Sequence, residues 1–250
     1  MTPRVLPLPQ LTEAAPFRGG GLHLPPSVAG ALARIWTDQG VAAHAAAAAQ
    51  AELAARLLRL AAPSPLLRGA GRALLDETAI SAACLDLARR YGGAEVVLTP
   101  IPRRAAAAAG DLNELLLSTL RRGCIAATVE SSCAREALEH CQEPAAREVL
   151  RQIEHGRART AQLSWRFLSW ALRGTGPELA DQVRVAVLSA LGTQSKTAAL
   201  SPGERQLLRH GVLGAQQRRA IEQRVLRDVV LPCMENALSR ARSRHDGQVA

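Results

Sequence analysis

The sequence predicts an all-α protein, and three of its features favour that fold class. Aromatic residues make up only 2% of the chain, so the core must be built from Leu, Ala, Val and Ile. Residues 28–60 contain no proline and are dominated by Ala and Leu, which are strong helix formers. Hydrophobic residues account for 48% of the 250 positions, enough for one sizeable core or two small ones. Closely packed helices are therefore expected.

The N-terminal segment predicts an extended arm, because residues 1–26 are rich in proline and glycine. Regular structure is expected to begin near Ser27. Arg4 is followed by a proline-interrupted stretch without an apolar run, which is not typical of a signal peptide. No apolar run approaches the roughly 18 to 20 residues that cross a bilayer. We therefore expect no membrane contact and a cytoplasmic location.

Two long helices are predicted next. The first covers residues 28–60, and Pro63 and Pro65 begin the second, since proline is tolerated in a first turn but not in a helix interior. The second helix should run to Tyr91, where two glycines stop it. Residues 94–104 contain two prolines and predict an extended crossing between two helix pairs.

The third and fourth helices carry clear start signals. Asp111 is a candidate N-cap with Glu114 three residues later, and this third helix should continue to Cys141. Pro144 opens the fourth helix, which should end near Leu172 before further glycines.

Further helices are expected over residues 178–192 and 203–243. The predicted organisation is an arm (1–26), a four-helix bundle (27–175), C-terminal helices packed on it (176–243) and a frayed tail (244–250).

Charge alone would suggest a nucleic-acid partner, because 31 basic residues give a formal net charge of +9. Lys196 is the only lysine, so the positive charge is almost entirely arginine. The arginines alternate with acids and apolar residues at helical spacing, and they form no dense basic block with aromatics between them. An arginine-rich nucleic-acid binder therefore remains an alternative, while a solvated surface explains the same pattern.

Short matches spread over residues 24–240 resemble one known superfamily. They are Leu24-Pro-Pro, Trp36, Ala43-His44-Ala45, the turn at 57–63, Asp76-Glu77, Tyr91-Gly-Gly, Gly123-Cys-Ile, Ile153 with the segment 165–170, and the segment 229–233. Together they resemble the ferritin-like, di-iron carboxylate superfamily, and within it a group of bacterial ferritin-like proteins. The resemblance implies a four-helix bundle with a long crossover between its second and third helices.

The same resemblance implies a set of metal-ligand positions. In that superfamily two helices each supply one glutamate and the other two each supply Glu-x-x-His, with side chains one turn apart on one face. In chain order the six positions fall on Ala43 (beside a retained His44), Glu77, Ile80, Ala127, Arg157 and Thr160. Only Glu77 keeps a ligand type. A di-iron centre is not expected at these positions, because hard metal ions need several oxygen or imidazole ligands.

Charge reasoning predicts what replaces the metal. An isolated buried glutamate is costly, and the position expected to face Glu77 has become Arg157. The sequence therefore predicts a buried ion pair between them. The alternative is that the two side chains point to different solvent layers, with Ile80, Ala127 and Thr160 filling the core.

Two other groups of residues have a metal-like composition. Glu130 and Glu154 could form a displaced carboxylate cluster with Glu77, although Arg157 among them would repel a cation. Glu136, Glu139 and His140 lie together near the end of the third helix, where an exposed charged face explains them.

The expectation from these observations is a degenerate ferritin-like protein without a catalytic residue, acting as a structural or protein-interaction module. No cofactor is expected. The alternative is a metal-dependent oxidase or oxygenase that holds iron or manganese at a displaced or mononuclear site. The protein partner is not identified by the sequence, and a homodimer is compatible with it.

Overall fold

The computed structural model describes residues 24–101, 112–174, 177–190 and 202–249. These residues are helical apart from the connections between helices, without a β-strand among them, and the all-α prediction is confirmed for this part of the chain. The helices are α1 (Pro26–Arg59), α2 (Ser64–Arg90), α3 (Leu112–Thr119), α4 (Thr128–His140), α5 (Pro144–Ala171), α6 (Pro177–Ala190), α7 (Pro202–Arg209), α8 (Ala215–Val225) and α9 (Leu231–Val249).

The first two helices form an antiparallel pair joined by a tight turn. The chain reverses at residues 60–63, where Ala61 has a φ of 47°, before proline at the start of α2 fixes the entry of that helix. The helices approach closely at Gly40, where an added Cβ would lie 2.8 Å from the Leu85 side chain. Ser81 donates a hydrogen bond of 2.8 Å to the Gly40 carbonyl across this contact. Small residues therefore set the spacing of this pair.

The centre of the packing is α5, which contacts α2 on one side and α4 on the other. Between α3 and α4 the backbone is π-helical over Leu120–Ala127, and α5 packs against this π segment as well. Gly123 of the π segment faces Ser164 so closely that an added Cβ would overlap the serine side chain. Gly156 plays a similar part toward α2, because an added Cβ would lie 2.9 Å from Ile80 Cδ1.

Several helices begin and end within two residues of their predicted limits, but two regions differ from the prediction. The third predicted helix is continuous but contains the π segment. The single helix predicted over 203–243 divides into α7 and a second helical stretch, in which a π-helical turn over Leu226–Val230 joins α8 to α9. Gly211, with a φ of 82°, ends α7 in a left-handed conformation that glycine adopts without strain. A short connection leads to Gly214, which begins α8 and donates its N–H to the Gln217 side chain.

The C-terminal helices contact the helices that precede them. In this region α8 lies against α4, and α9 lies against α5. The end of α7 is tied to the α4–α5 connection, because the Gln142 N–H donates to the Arg209 carbonyl over 2.7 Å. Tyr91 at the end of α2 places its hydroxyl 3.0 Å from Nδ1 of His210. The helix α9 continues to Val249, beyond the residue at which the sequence predicted a tail to begin.

Some predictions fall on residues that lie outside the described ranges. These are most of the N-terminal arm, the end of the crossing after residue 101 and the N-cap at Asp111. In the part of the chain that is described, no helix combines the length and the apolar character that a bilayer crossing needs.

Candidate functional site: a buried ion cluster

Glu77 is the centre of the candidate site, and its side chain is completely buried on α2. Its position follows from the helix crossing, because Gly156 lets α5 approach α2 between Asp76 and Ile80. An ionised carboxylate in such a place loses its hydration and needs a compensating charge. The charge comes from the same crossing, from Arg157, which directly follows Gly156 on α5.

Arg157 lies between two glutamates. Its Nη2 is 2.9 Å from Oε2 of Glu77, and its Nε is 3.1 Å from Oε2 of Glu130 on α4. The Arg157 side chain is 14% exposed, and Glu130 is 33% exposed. Neither glutamate oxygen is aligned with an arginine N–H as a hydrogen bond, and Nε of Arg157 has no hydrogen-bond partner among the described groups. The three side chains, called the ion cluster below, are held by charge and proximity.

Burial changes the acidity of Glu77. Loss of hydration raises the pKa of Glu77 from 4.5 to about 7, while the Arg157 guanidinium opposes the rise and the Glu130 and Asp76 carboxylates add to it. Cys84 lies seven residues further along α2, and the charges of Arg157 and Glu77 also affect the pKa of its thiol. Burial is the main cause that raises the pKa of this thiol to about 12. The positive charge of Arg157 opposes the rise, and the negative charge of Glu77 adds to it. This thiol is therefore protonated and a poor nucleophile at neutral pH.

A second ion pair lies next to the cluster and was not predicted from the sequence. Asp76, which is 8% exposed, accepts two hydrogen bonds from Arg159, at 2.8 Å from Nε and 2.9 Å from Nη2. Arg72 approaches the same carboxylate at 3.2 Å. The sequence contained a signal for this pair, because Asp76 directly precedes Glu77 and Arg159 follows Arg157 by two residues. We call this two-bond contact the Asp76–Arg159 fork. It holds α5 against α2 through aligned hydrogen bonds, which the ion cluster lacks.

The remaining positions implied by the resemblance carry no ligand chemistry. Ala43, Ile80, Ala127 and Thr160 are buried, whereas His44 is partly exposed. Ala43 and Ile80 belong to one apolar cluster of the core. The hydroxyl of Thr160 is buried without a hydrogen-bond partner in the described structure.

The carboxylates named for a displaced metal site are only partly brought together. Glu130 joins Glu77 through Arg157. The Glu154 carboxylate instead faces Arg135, 2.8 Å from its Nε. A di-iron or dimanganese centre does not fit this arrangement, because a guanidinium lies 2.9 Å from the only retained ligand and its charge opposes a cation.

A different group of side chains meets the geometric requirement for a metal. Glu136, Glu139 and His140 place ligand atoms within 4.8 Å of one another, and this is the only such group in the described part of the chain. Glu139 and His140 are exposed, and Glu136 already pairs with Arg224 at 3.1 Å. The group is an exposed acidic face of α4 that contributes to contact with α8.

A cavity adjoins the ion cluster between α1 and α4. It has a volume of about 460 Å³, and Arg157, Glu130 and Ile80 form part of its wall. The connection between α7 and α8 covers one side through Val212 and Leu213. The sequence reasoning missed this cavity, because it arises from the separation of two helices that are distant in sequence.

Comparison with protein-family models, with curated proteins and with solved structures gave no match.

Proposed function

We propose that this protein is a non-catalytic ferritin-like protein in which an ion cluster replaces the metal centre, and that it acts as a structural or protein-interaction module. The observation that carries the proposal is the position of Arg157 between Glu77 and Glu130. Its guanidinium supplies the positive charge that a metal ion would supply, and it needs no further ligands to do so.

The arrangement of the long helices supports the ferritin-like part of the proposal. The helices α1 and α2 form one pair, and the α3–α4 unit with α5 forms the other. The end of α2 at Arg90 and the start of α3 at Leu112 are far enough apart in sequence for the crossover that such a bundle requires. In this arrangement α6 to α9 are additions to the bundle.

Metal loading tests the proposal. The purified protein is incubated with iron, manganese or zinc, passed through a desalting column and analysed for metal per chain. We expect much less than one ion per chain. One or two ions retained per chain, and lost in Glu77→Gln, would overturn the proposal in favour of a metal-dependent oxidase or oxygenase.

A matched control separates the buried site from the surface. Glu139→Gln removes a carboxylate from the exposed group on α4. Metal that is lost in this variant but kept in Glu77→Gln belongs to the surface group, and the proposal stands.

The proposed role in protein interaction is tested separately, by measuring the oligomeric state of the purified protein. A homodimer would give a mass of twice 26.5 kDa in light scattering after size exclusion. A monomer at every concentration directs the search to a different protein partner.

A further inference from the structure

We propose that the cavity between α1 and α4 binds a small neutral molecule with an apolar body and an amide-like edge, which accepts a hydrogen bond from Arg157 and donates one to Glu130. Three observations carry this inference: the volume of the cavity, its apolar walls, and the two opposite charges that lie side by side within it.

The volume is that of a ligand site. About 460 Å³ falls within the range of roughly 300 to 1,000 Å³ that is usual for small-molecule pockets. The packing defects of a well-formed helical core are far smaller, with few voids larger than a water molecule. The cavity reaches solvent on one side, because Asp38, Ala42 and Arg218 of its wall are exposed.

The walls are largely apolar. Ile35 of α1, Ile80 of α2, Ala137 of α4 and Leu150 of α5 face the cavity, together with Val212 and Leu213. An apolar ligand body gains from leaving water in such a place. Among the described residues that line the cavity none is aromatic, so their contacts with a ligand do not include ring stacking.

The polar part of the wall selects the head group. Arg157 lines the cavity, and its guanidinium is the source of N–H donors there. Glu130 offers carboxylate oxygens 3.1 Å away. A neutral group with an acceptor beside a donor satisfies both, as a primary amide does.

A charged head group satisfies only one of these side chains. A ligand carboxylate would attract Arg157 but would meet Glu130 and the nearby Glu77. A ligand ammonium would attract Glu130 but would meet Arg157. Like charges brought together in a partly buried site are strongly unfavourable.

The experiment uses three ligands that differ only in the head group: octanamide, octanoate and octylammonium. Each is titrated calorimetrically into the whole protein at about pH 8, where Glu77 is ionised. We expect octanamide to bind at least about tenfold more tightly than either charged ligand, because only the amide avoids a like-charge contact. Absence of octanamide binding, or equal or tighter binding of octanoate or octylammonium, would overturn the proposal.

Matched variants locate the binding. Ala42 and Ala45 are both exposed on α1, three residues apart, but only Ala42 lines the cavity. Ala42→Phe should place a ring in the cavity that obstructs the ligand and abolishes octanamide binding, whereas Ala45→Phe should leave that binding unchanged. If the two variants bind octanamide equally, the site lies elsewhere and the inference fails.

A third variant tests the polar edge. Glu130→Gln removes a negative charge at a partly exposed position. The preference for octanamide over octanoate should then shrink by about tenfold, because the carboxylate no longer meets Glu130. An unchanged preference would show that the head group does not contact Glu130, and it would overturn the proposal.

Discussion

Glu77 is a carboxylate that the fold buries at a cost. Its pKa of about 7 means that folding favours the protonated form even with Arg157 at 2.9 Å. Desolvation therefore outweighs the attraction of the guanidinium at this position. Buried ion pairs commonly show this balance, in which the pair adds little stability but the loss of one partner is severe.

The stability of the protein should depend on pH through Glu77. Because the folded pKa lies above the unfolded value of 4.5, the folded state binds the proton more tightly. The contribution of Glu77 to stability is therefore fully present below about pH 4.5. It is lost as the pH rises through about 7, and the total loss is about 3 kcal/mol. Glu77→Gln should abolish this part of the dependence, measured as unfolding free energy in urea at about pH 5 and about pH 8. Parallel pH profiles in the two proteins would contradict the prediction.

Arg157→Met serves as the partner variant in the same experiment. Loss of the guanidinium removes the group that lowers the pKa of Glu77, so that pKa should rise further. The variant should lose roughly 3 to 5 kcal/mol at about pH 8, where Glu77 must either stay ionised without its partner or take up a proton, and less at about pH 5, where it is already protonated. Arg135→Ala, which removes an exposed arginine from its pair with Glu154, is the control and should change stability by less than about 1 kcal/mol.

The spacing between helices depends on glycine at two crossings of α5. Gly123 of the π segment lies against Ser164, and Gly156 lies against Ile80. Any larger side chain would push α5 away from its neighbours. The ion cluster and the Asp76–Arg159 fork both span the crossing that Gly156 permits.

Gly123→Ala should destabilise the protein by more than about 2 kcal/mol, because the new methyl group overlaps Ser164 in a closely packed core. Gly71→Ala is the matched control, since an added Cβ there meets nothing within 4 Å. That control should raise stability by up to about 1 kcal/mol through helix propensity. Thermal unfolding of the two alanine variants measures the difference in their stability. Combining Gly123→Ala with Ser164→Gly should recover part of the lost stability, because it removes the side chain that the new methyl group overlaps. Equal effects of the two alanine substitutions would show that the helices can separate at Gly123 without penalty.

The C-terminal helices are connected to the first helix pair through Tyr91 and His210. Their rings meet edge to face, 5.6 Å apart, and His210 is buried. Burial lowers the pKa of His210, with Glu143 opposing and Arg209 reinforcing the change. Burial also raises the pKa of the Tyr91 hydroxyl well above its usual range. The contact therefore joins a neutral imidazole to a neutral phenol.

Tyr91→Phe should lower the unfolding free energy by about 1 kcal/mol, because it removes the hydrogen bond and keeps the ring. The measurement should be made at about pH 8, where His210 is neutral in both the folded and the unfolded states. Below about pH 6.5 the unfolded state gains a proton on His210, and this protonation lowers stability by itself. Tyr91 is the only tyrosine, so the alkaline change in absorbance of the unmodified protein reports it alone. Ionisation of this phenol at its ordinary pH in the folded protein would contradict the burial argument.

Local chemistry explains why much of the helical architecture could be predicted. Proline at the start of α1, α2 and α5 and glycine after α2 act within one or two turns, so their effect is visible in the sequence. The end of α7 and the start of α8 also have a local signal in the sequence, because glycine occupies positions 211 and 214. The π segment had no such signal, because it is part of the fit between Gly123 and Ser164, residues far apart along the chain.

The candidate site divides in the same way. The positions implied by the ferritin-like resemblance made Glu77 and Arg157 candidates for a pair, since a buried lone acid needs a partner of opposite charge. They did not indicate that Glu130 is the second partner of Arg157, that Glu154 faces Arg135, or that Asp76 is held by Arg159. Those pairings depend on the rotation and separation of α2, α4 and α5.

Helix content, helix limits and the chemical types of the buried residues follow from short-range preferences that each segment carries in its own sequence. The ion cluster, the fork beside it and the cavity between α1 and α4 follow from packing between segments distant along the chain. Shifting one helix by a single residue rotates its side chains by about 100°. Contacts between helices therefore depend on the packing of the whole core, which no single segment specifies.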